Sequence, residues 1–256
     1  MKVLKRDELV TYLNNYFEAS LFEDYGPNGL QIEGSTEISK IAYAVSATRE
    51  SVEQACDLGV QALIVHHGVF WNFHGVRTLT GPFAKRVLPL IKKEINLIAY
   101  HLPLDAHLEL GNAAALAHKL QLQELTPFGL TKGRSTGVAG KFKTPLTAAE
   151  LKQRISSVTA HQVIHADPET NQTISTLGII TGGANSAWVQ AHRAGLDAYL
   201  TGEISEHDWH EARESGIHYF AAGHNGTEQF GIQALQSHLS QKFGLEGIYL
   251  PSANPA

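Results

Sequence analysis

One cadence occurs twice in this chain and restricts what it can fold into. Ile41-Ala42-Tyr43-Ala44-Val45-Ser46 reads as a buried strand, a helix follows through about Leu58, Gly59 ends it, and Ala62-Leu63-Ile64-Val65 is the next strand. In the second half, Leu177-Gly178-Ile179-Ile180-Thr181-Gly182 is a strand, a helix runs through about Ala194, Gly195 ends it, and Ala198-Tyr199-Leu200-Thr201 follows. Gly59 and Gly195 fill the same place, a helix C-cap whose left-handed turn favours glycine. The next pair also matches: Ile95-Asn96-Leu97-Ile98-Ala99-Tyr100-His101 parallels Ile217 through His224. Each is followed by a carboxylate, Asp105 or Glu228, and then by a helix containing Leu110-Gly111 or Phe230-Gly231. Strands alternating with helices imply parallel sheets of the α/β class. The expected architecture is therefore two similar α/β lobes produced by internal duplication, residues 1–126 and 127–256.

The lead-in helices fit this plan. Residues 7–18 carry Leu9, Val10, Leu13, Tyr16 and Phe17 as an apolar stripe. Residues 147–158 open with Thr147-Ala148-Ala149-Glu150, a capping-box pattern. Pro127, Gly129, Gly133, Gly137 and Gly140 mark 126–146 as the join between lobes. Pro89 falls inside the helix expected over 82–94, which should kink or split there.

Within that frame, His66-His67 stands out, because it closes the apolar run Ala62–Val65. Ligands of α/β sheets gather at the carboxyl ends of strands. Adjacent strand residues point to opposite faces, but where the chain turns both rings can aim into one crevice. Neutral imidazoles so placed suit metal ions, and a structural role is the alternative. Four strand ends carry residues of ligand type: His66-His67, His101 with Asp105, Gly202-Glu203, and His224 with Glu228. His224 and Glu228 share a face if the segment is helical, and both can reach one ion if it is a loop entering a helix near Thr227. Asp105 reads either as a ligand or as an N-cap for the following helix. This set exceeds the four ligands of one tetrahedral zinc. Carboxylates can bridge two cations, and paired metals lie roughly 3.5–4 Å apart in hydrolytic sites. Nitrogen and oxygen ligation without thiolate admits Mn, Fe, Co, Zn or Mg.

Taken together, Pro27-Asn28-Gly29-Leu30-Gln31, His66-His67-Gly68, His101-Leu102-Pro103-Leu104-Asp105, Thr201-Gly202-Glu203, Gly223-His224 through Glu228, and the ending Pro251–Ala256 resemble a known group. It is the dinuclear metal-binding family that includes GTP cyclohydrolase 1 type 2 and the Nif-three-like proteins, in its short bacterial YbgI-type branch, and the resemblance spans essentially the whole chain. It implies two interlinked lobes with the metal site in the cleft between them, the 223–228 segment completing the site of the first lobe. It implies His66, His67, Asp105, His224 and Glu228 as ligands of two divalent ions, with Glu228 bridging. His101 and Glu203 match positions near the metals, as acid/base or supporting groups. Related short-branch chains often carry a further His after the position of His224, where this chain has Asn225. The resemblance also implies a toroidal hexamer and a purine nucleotide such as GTP as substrate.

Composition narrows the partners. A formal net charge of −5 argues against non-specific nucleic-acid binding. The lone cysteine, Cys56, precludes an internal disulfide and fits a reducing compartment, so a cytoplasmic location is expected. Neither a signal-peptide core nor an apolar run of about 18 residues is found, so no membrane association is expected. The 14 histidines invite a search for further clusters. His207 and His210, beside Glu206 and Asp208, read as a solvated helix face rather than a second metal patch. His161 and His165 flank Val163-Ile164 at a strand end, and His118 and His238 read as surface positions on amphipathic helices. Gly182-Gly183-Ala184-Asn185-Ser186 and Ser46-Ala47-Thr48 are βα turns that could cradle phosphate but lack the fuller glycine fingerprints. Phe70, Trp71 and Phe73 could stack on a base or form a subunit contact. Cys56 reads as a buried, inert thiol. Two functions follow as expectations. One is a dinuclear-metal-dependent hydrolase of a small substrate, with His101 or Glu203 moving the proton. The alternative is a non-enzymatic metal-binding regulatory or metal-handling oligomer.

Overall fold

A computed structural model of the chain describes residues 2–170 and 172–256. In chain order it begins with β1 (Leu4–Lys5), α1 (Arg6–Tyr16), β2 (Gly29–Ile32), β3 (Glu37–Ile38), β4 (Lys40–Ser46), α2 (Arg49–Asp57), β5 (Ala62–His67), α3 (Gly81–Lys92), β6 (Asn96–Ala99) and the single turn α4 (Leu102–Asp105). It continues with α5 (Asn112–Lys119), β7 (Gln123–Thr131), β8 (Arg134–Leu146), α6 (Ala148–Thr159), β9 (Ile164–Ala166), β10 (Ile174–Ile179) and α7 (Trp188–Arg193). The last elements are β11 (Ala198–Thr201), α8 (Glu206–Glu214), β12 (His218–Ala221), α9 (His224–Phe243) and β13 (Glu246–Tyr249). The protein is α/β, and none of its described helices is long and apolar enough to cross a membrane.

Two compact units divide the chain: residues 1–104 with 232–252, and residues 105–231 with 253–256. These bounds differ from the division expected at 126/127. The breaker-rich stretch over 126–146 is not a linker but most of the antiparallel pair β7–β8. Its turn places both Lys132 and Gly133 at positive φ (49° and 82°), the backbone of a tight type I′ hairpin.

In the first unit the strand order is β13-β4-β5-β6-β2, parallel except for β2 at the edge. Strand periodicity separates two faces. Ala42, Ala44, Leu63, Val65, Leu97 and Ala99 pack with Val52 and Ala55 of α2 and with Phe83, Val87 and Leu90 of α3. The alternate residues Ile41, Tyr43, Ile64 and Ile98 are buried on the other face. Continuously apolar strands of this kind belong in a sheet covered on both sides. Thr48 starts α2 with a capping box, exchanging hydrogen bonds with Ser51. Helix α3 is not split at Pro89. The proline lies in its last turn, and the carbonyl deprived of its donor belongs to exposed Lys85, where water can replace it.

In the second unit the order is β7-β8-β10-β11-β12-β9, with β10, β11 and β12 parallel and β8 and β9 antiparallel to their neighbours. Leu177, Ile179, Ala198, Leu200 and Phe220 pack with α5 and α6 on one face. Tyr199, Tyr219 and Ala221 pack with Trp188, Ala191 and Ala212 on the other. The capping box read at Thr147–Glu150 opens α6. Helix α9 carries the chain from the second unit into the first, where its later turns meet α1: His238 stacks on Tyr16 and accepts a 2.5 Å hydrogen bond from the Tyr12 hydroxyl. His238 is therefore a packing residue rather than a surface one.

Candidate metal centre

The first unit collects three imidazoles at the carboxyl ends of β5 and β6. His66 and His67 end β5, and His101 follows β6. Their ring centroids lie 4.6 Å (His66–His67), 5.0 Å (His66–His101) and 5.6 Å (His67–His101) apart, and one nitrogen of each lies within 4.8 Å of the others. Each ring is oriented through Nδ1. His66 Nδ1–H donates to the Tyr100 carbonyl at 3.0 Å, His67 Nδ1 shares a 2.9 Å hydrogen bond with Ser46 Oγ, and His101 Nδ1–H donates to Asp24 Oδ1 at 2.7 Å. Donation from Nδ1 of His66 and His101 leaves their Nε2 atoms for a ligand, and the Ser46 contact orients the His67 ring.

The support for these rings explains the Pro27–Gln31 motif. Asn28 Oδ1 accepts from the His101 backbone N–H, and its amide donates to Asp24 Oδ2. Gln31 Oε1 accepts from Val69 N–H, and its amide donates to the Pro27 carbonyl, which ties the loop after His67 to β2. Asp24, a residue the sequence reading missed, also accepts from the backbone N–H groups of Tyr25 and Leu102. Its side chain is 2% exposed. Burial alone would push its carboxyl up, but the hydrogen bonds from His101, Asn28 and Tyr25 win and hold it below the ordinary aspartate value. Trp71 meets the His101 ring edge to face at 5.1 Å and stacks on exposed Phe73, so the aromatic run adjoins the imidazoles.

The second unit collects carboxylates. Asp105 and Glu228 are buried, and an oxygen of each lies within 4.8 Å of the other. Asp105 does not cap α5, whose N-cap is Gly111. It accepts instead from the Asn112 amide at 2.9 Å, and Asn112 in turn accepts from Gly231 N–H. Residues 224–228 are helical, so His224 and Glu228 lie one turn apart on a face of α9, with Nε2 3.1 Å from Glu228 Oε2. His224 Nδ1–H donates to Glu203 Oε1 at 2.5 Å. Burial would lower the His224 pKa, but hydrogen bonding and attraction to Glu228, then Glu203, overcome it and raise the value to about 9.

The turn after β10 is shaped around these groups. A Cβ on Gly182 would stand 2.1 Å from Glu228 Oε1 and 3.1 Å from His224 Nε2, and its φ of +70° is itself left-handed. Its N–H donates to Thr227 Oγ1, and its carbonyl accepts from Gly202 N–H and Thr201 Oγ1. The glycine turn is thus the floor beneath His224 and Glu228.

Other histidines fall elsewhere. His207 and His210 lie on the solvated face of α8 beside Asp208 and Glu206. His118 is exposed near the end of α5, and His161 donates to the Pro255 carbonyl at 2.6 Å. Cys56 is half-buried rather than buried, and desolvation pushes its thiol pKa up.

The donor chemistry fits divalent metal. Two buried carboxylates this close repel in a poorly screened setting, and a cation relieves that repulsion. Oriented imidazoles and carboxylates are borderline-to-hard donors, suited to Mn, Fe, Co or Zn. The chain matches the Duf34/NIF3 (NGG1p interacting factor 3) family over residues 4–255. It is 42% identical over 250 residues to the "GTP cyclohydrolase 1 type 2 homolog" of Pasteurella multocida (strain Pm70), covering 97% of this chain and 98% of that one. Among solved structures, the protein ybgI, described as of unknown function, superposes with a TM-score of 0.91 at 36% identity, covering 99% of this chain and 100% of that one. TTHA1606 from Thermus thermophilus gives 0.88 at 34% identity, with coverage of 99% and 100%. With the match running nearly end to end, the chain belongs to the Duf34/NIF3 family.

Proposed function

We propose that this protein is a metal-dependent hydrolase of a small molecule, with two divalent ions held by His66, His67, Asp105, His224 and Glu228. The observation that carries this reading is the orientation of the donors. Three imidazoles are fixed through Nδ1 in one unit, and the buried carboxylates of the other stand beside a glycine turn that admits no side chain. The resemblance supports Glu228 among the residues that would hold the ions. Such ions, when bound, lower the pKa of a coordinated water and polarise the bond under attack.

The chain's own residues supply the rest. His101, with its Nδ1–H given to Asp24, keeps Nε2 to accept and return a proton. Glu203 holds His224 in place and, being exposed, can exchange protons with solvent. Trp71 and Phe73 offer aromatic faces beside His101, where a planar base could stack. The name of the Pasteurella relative makes GTP and other purine nucleotides the first substrates to try. The family resemblance likewise supports a homo-oligomeric ring and a cytoplasmic setting.

The test is metal analysis of protein purified without added metal, together with a nucleotide-hydrolysis screen of the metal-loaded protein. The expected result is at least two ions per chain, a count that His67→Ala with Glu228→Ala lowers by about two, and a turnover that the same double variant abolishes. Turnover equal in the wild type and the double variant would overturn the reading.

A further inference from the structure

A second set of metal-type donors lies wholly within the second unit, away from the residues above. Strand β9 pairs antiparallel with β12, Phe220 opposite His165 and Tyr219 opposite Ala166. Continuing that register by one residue sets Asp167 opposite His218. Because side chains alternate, His165 and Asp167 share a face of β9, and His218 and Phe220 share the matching face of β12. His165 is thus the diagonal neighbour of His218 and the direct neighbour of Phe220, whose ring it stacks on at 4.4 Å.

The donors converge. His165 Nε2 lies 3.2 Å from His218 Nδ1, and Asp167 Oδ1 lies 3.9 Å from the same nitrogen. All three ligand atoms fall within 4.8 Å of one another. Two imidazole nitrogens each about 2.0–2.1 Å from a tetrahedral zinc stand roughly 3.3 Å apart, so the observed nitrogen–nitrogen spacing matches that of two ligands of one ion. Burial disfavours charge on both imidazoles, which leaves each able to present a lone pair. His218 is 3% exposed, and its Nε2 has no hydrogen-bond partner among the described residues. The Asp167 side chain is half exposed, and Arg213 holds that segment by donating from Nε to the Asp167 carbonyl at 2.6 Å. The set lies at the amino end of β12, whereas Glu203 follows the carboxyl end of β11 and His224 that of β12.

We propose that His165, Asp167 and His218 form a separate site for one divalent transition metal, zinc by preference, which ties the short edge strand β9 to β12. Three protein ligands leave a fourth position to water, and the role is to staple the sheet edge. The Irving–Williams order favours zinc over manganese or iron(II) at such a site.

The test uses the full chain with His67→Ala and Glu228→Ala as background, so that the proposed dinuclear centre does not contribute. Equilibrium dialysis against zinc should give one tightly held ion per chain in that background, and cobalt(II) substitution should give the visible absorption of a tetrahedral site. Adding His165→Gln should abolish both. Adding Asp167→Asn, at a half-exposed position that folding tolerates, should weaken zinc by more than about tenfold, at least the loss seen when a group that merely supports a metal ligand is altered. Failure of the background protein to bind zinc, or binding unchanged by Asp167→Asn and His165→Gln in protein with native circular dichroism, would overturn the proposal. The two rings would then simply share an N–H···N hydrogen bond. Because the background lacks two of the ligands proposed above, either result leaves the hydrolase reading to its own test.

Discussion

Replacing Gly182 by alanine isolates how tightly the second unit is built around Glu228, because Gly195 provides a matched control. Both glycines sit at φ +70°. A Cβ at Gly195 meets nothing within 4 Å, whereas at Gly182 it would stand 2.1 Å from Glu228 Oε1 and 3.0 Å from Cδ. The left-handed backbone costs an L-residue about 1–2 kcal/mol at either site, and the entropy an alanine removes from the unfolded chain is also common to both. The difference between the variants is therefore the crowding alone. The turn cannot easily move, since its N–H and carbonyl are both engaged by Thr227, Gly202 and Thr201. The carboxylate, 4% exposed, must yield instead. Overpacking of this kind costs about 1–3 kcal/mol. Urea denaturation of both variants with chelator present should show Gly182→Ala less stable than Gly195→Ala by that amount. Metal analysis without chelator should show Gly182→Ala alone losing the ions proposed to rest on Glu228. Equal destabilisation, or full metal content in Gly182→Ala, would refute the argument that the glycine makes room for Glu228.

Three further outcomes are expected. Asp24→Asn should cost about 1.5–3 kcal/mol, the worth of a charged hydrogen-bond acceptor. Because the Asp24 carboxyl is held below its ordinary pKa of about 3.9, that stabilisation is complete above this pH and fades as pH falls through the lower folded value. Urea midpoints of wild type and variant should therefore differ at pH 7 and converge in acid, and a constant gap would contradict the assignment. Thr48→Ala should cost about 1 kcal/mol through loss of the α2 cap, while Thr48→Ser should recover most of it in thermal unfolding. Leu63→Ala, at a position with no exposure in the core over α2 and α3, should cost about 2–5 kcal/mol, and a loss below about 1 kcal/mol would mean the site collapses around the cavity.

Features whose signal is local were legible in the sequence. Most of the parallel strands are apolar runs that read correctly to within a few residues, and only β13 (Glu246–Tyr249) went unread. Thr147 and Glu150 announced their helix because a capping box needs only four residues. His66-His67 and His224 with Glu228 were visible because strand ends and helical spacing are short-range patterns. What escaped depends on distant partners. Asp24 sits in an irregular stretch and gains its meaning from His101, far along the chain. His218 looked like an ordinary strand residue until pairing with β9 brought His165 and Asp167 beside it. The glycines of 129–137 suggested a linker because breakers mark turns, but here they serve a tight hairpin turn and a close approach of strands: a Cβ on Gly137 would stand 2.1 Å from the Ile179 carbonyl oxygen.

The discontinuity of the first unit has a consequence for biosynthesis. Strand β4 pairs with β13, Lys40 opposite Glu246, so the sheet begun by the earliest residues waits for some of the last. During translation the whole of 105–231 emerges in between, so the second unit lacks only 253–256 while the first still lacks an edge strand and the later turns of α9. Contacts between such distant residues close slowly, and an unpaired strand edge invites association with other chains meanwhile. A chain ending at Gly231 would carry every residue proposed here to hold metal and yet leave β4 without its partner, so possession of the ligands and the capacity to fold separate at that point.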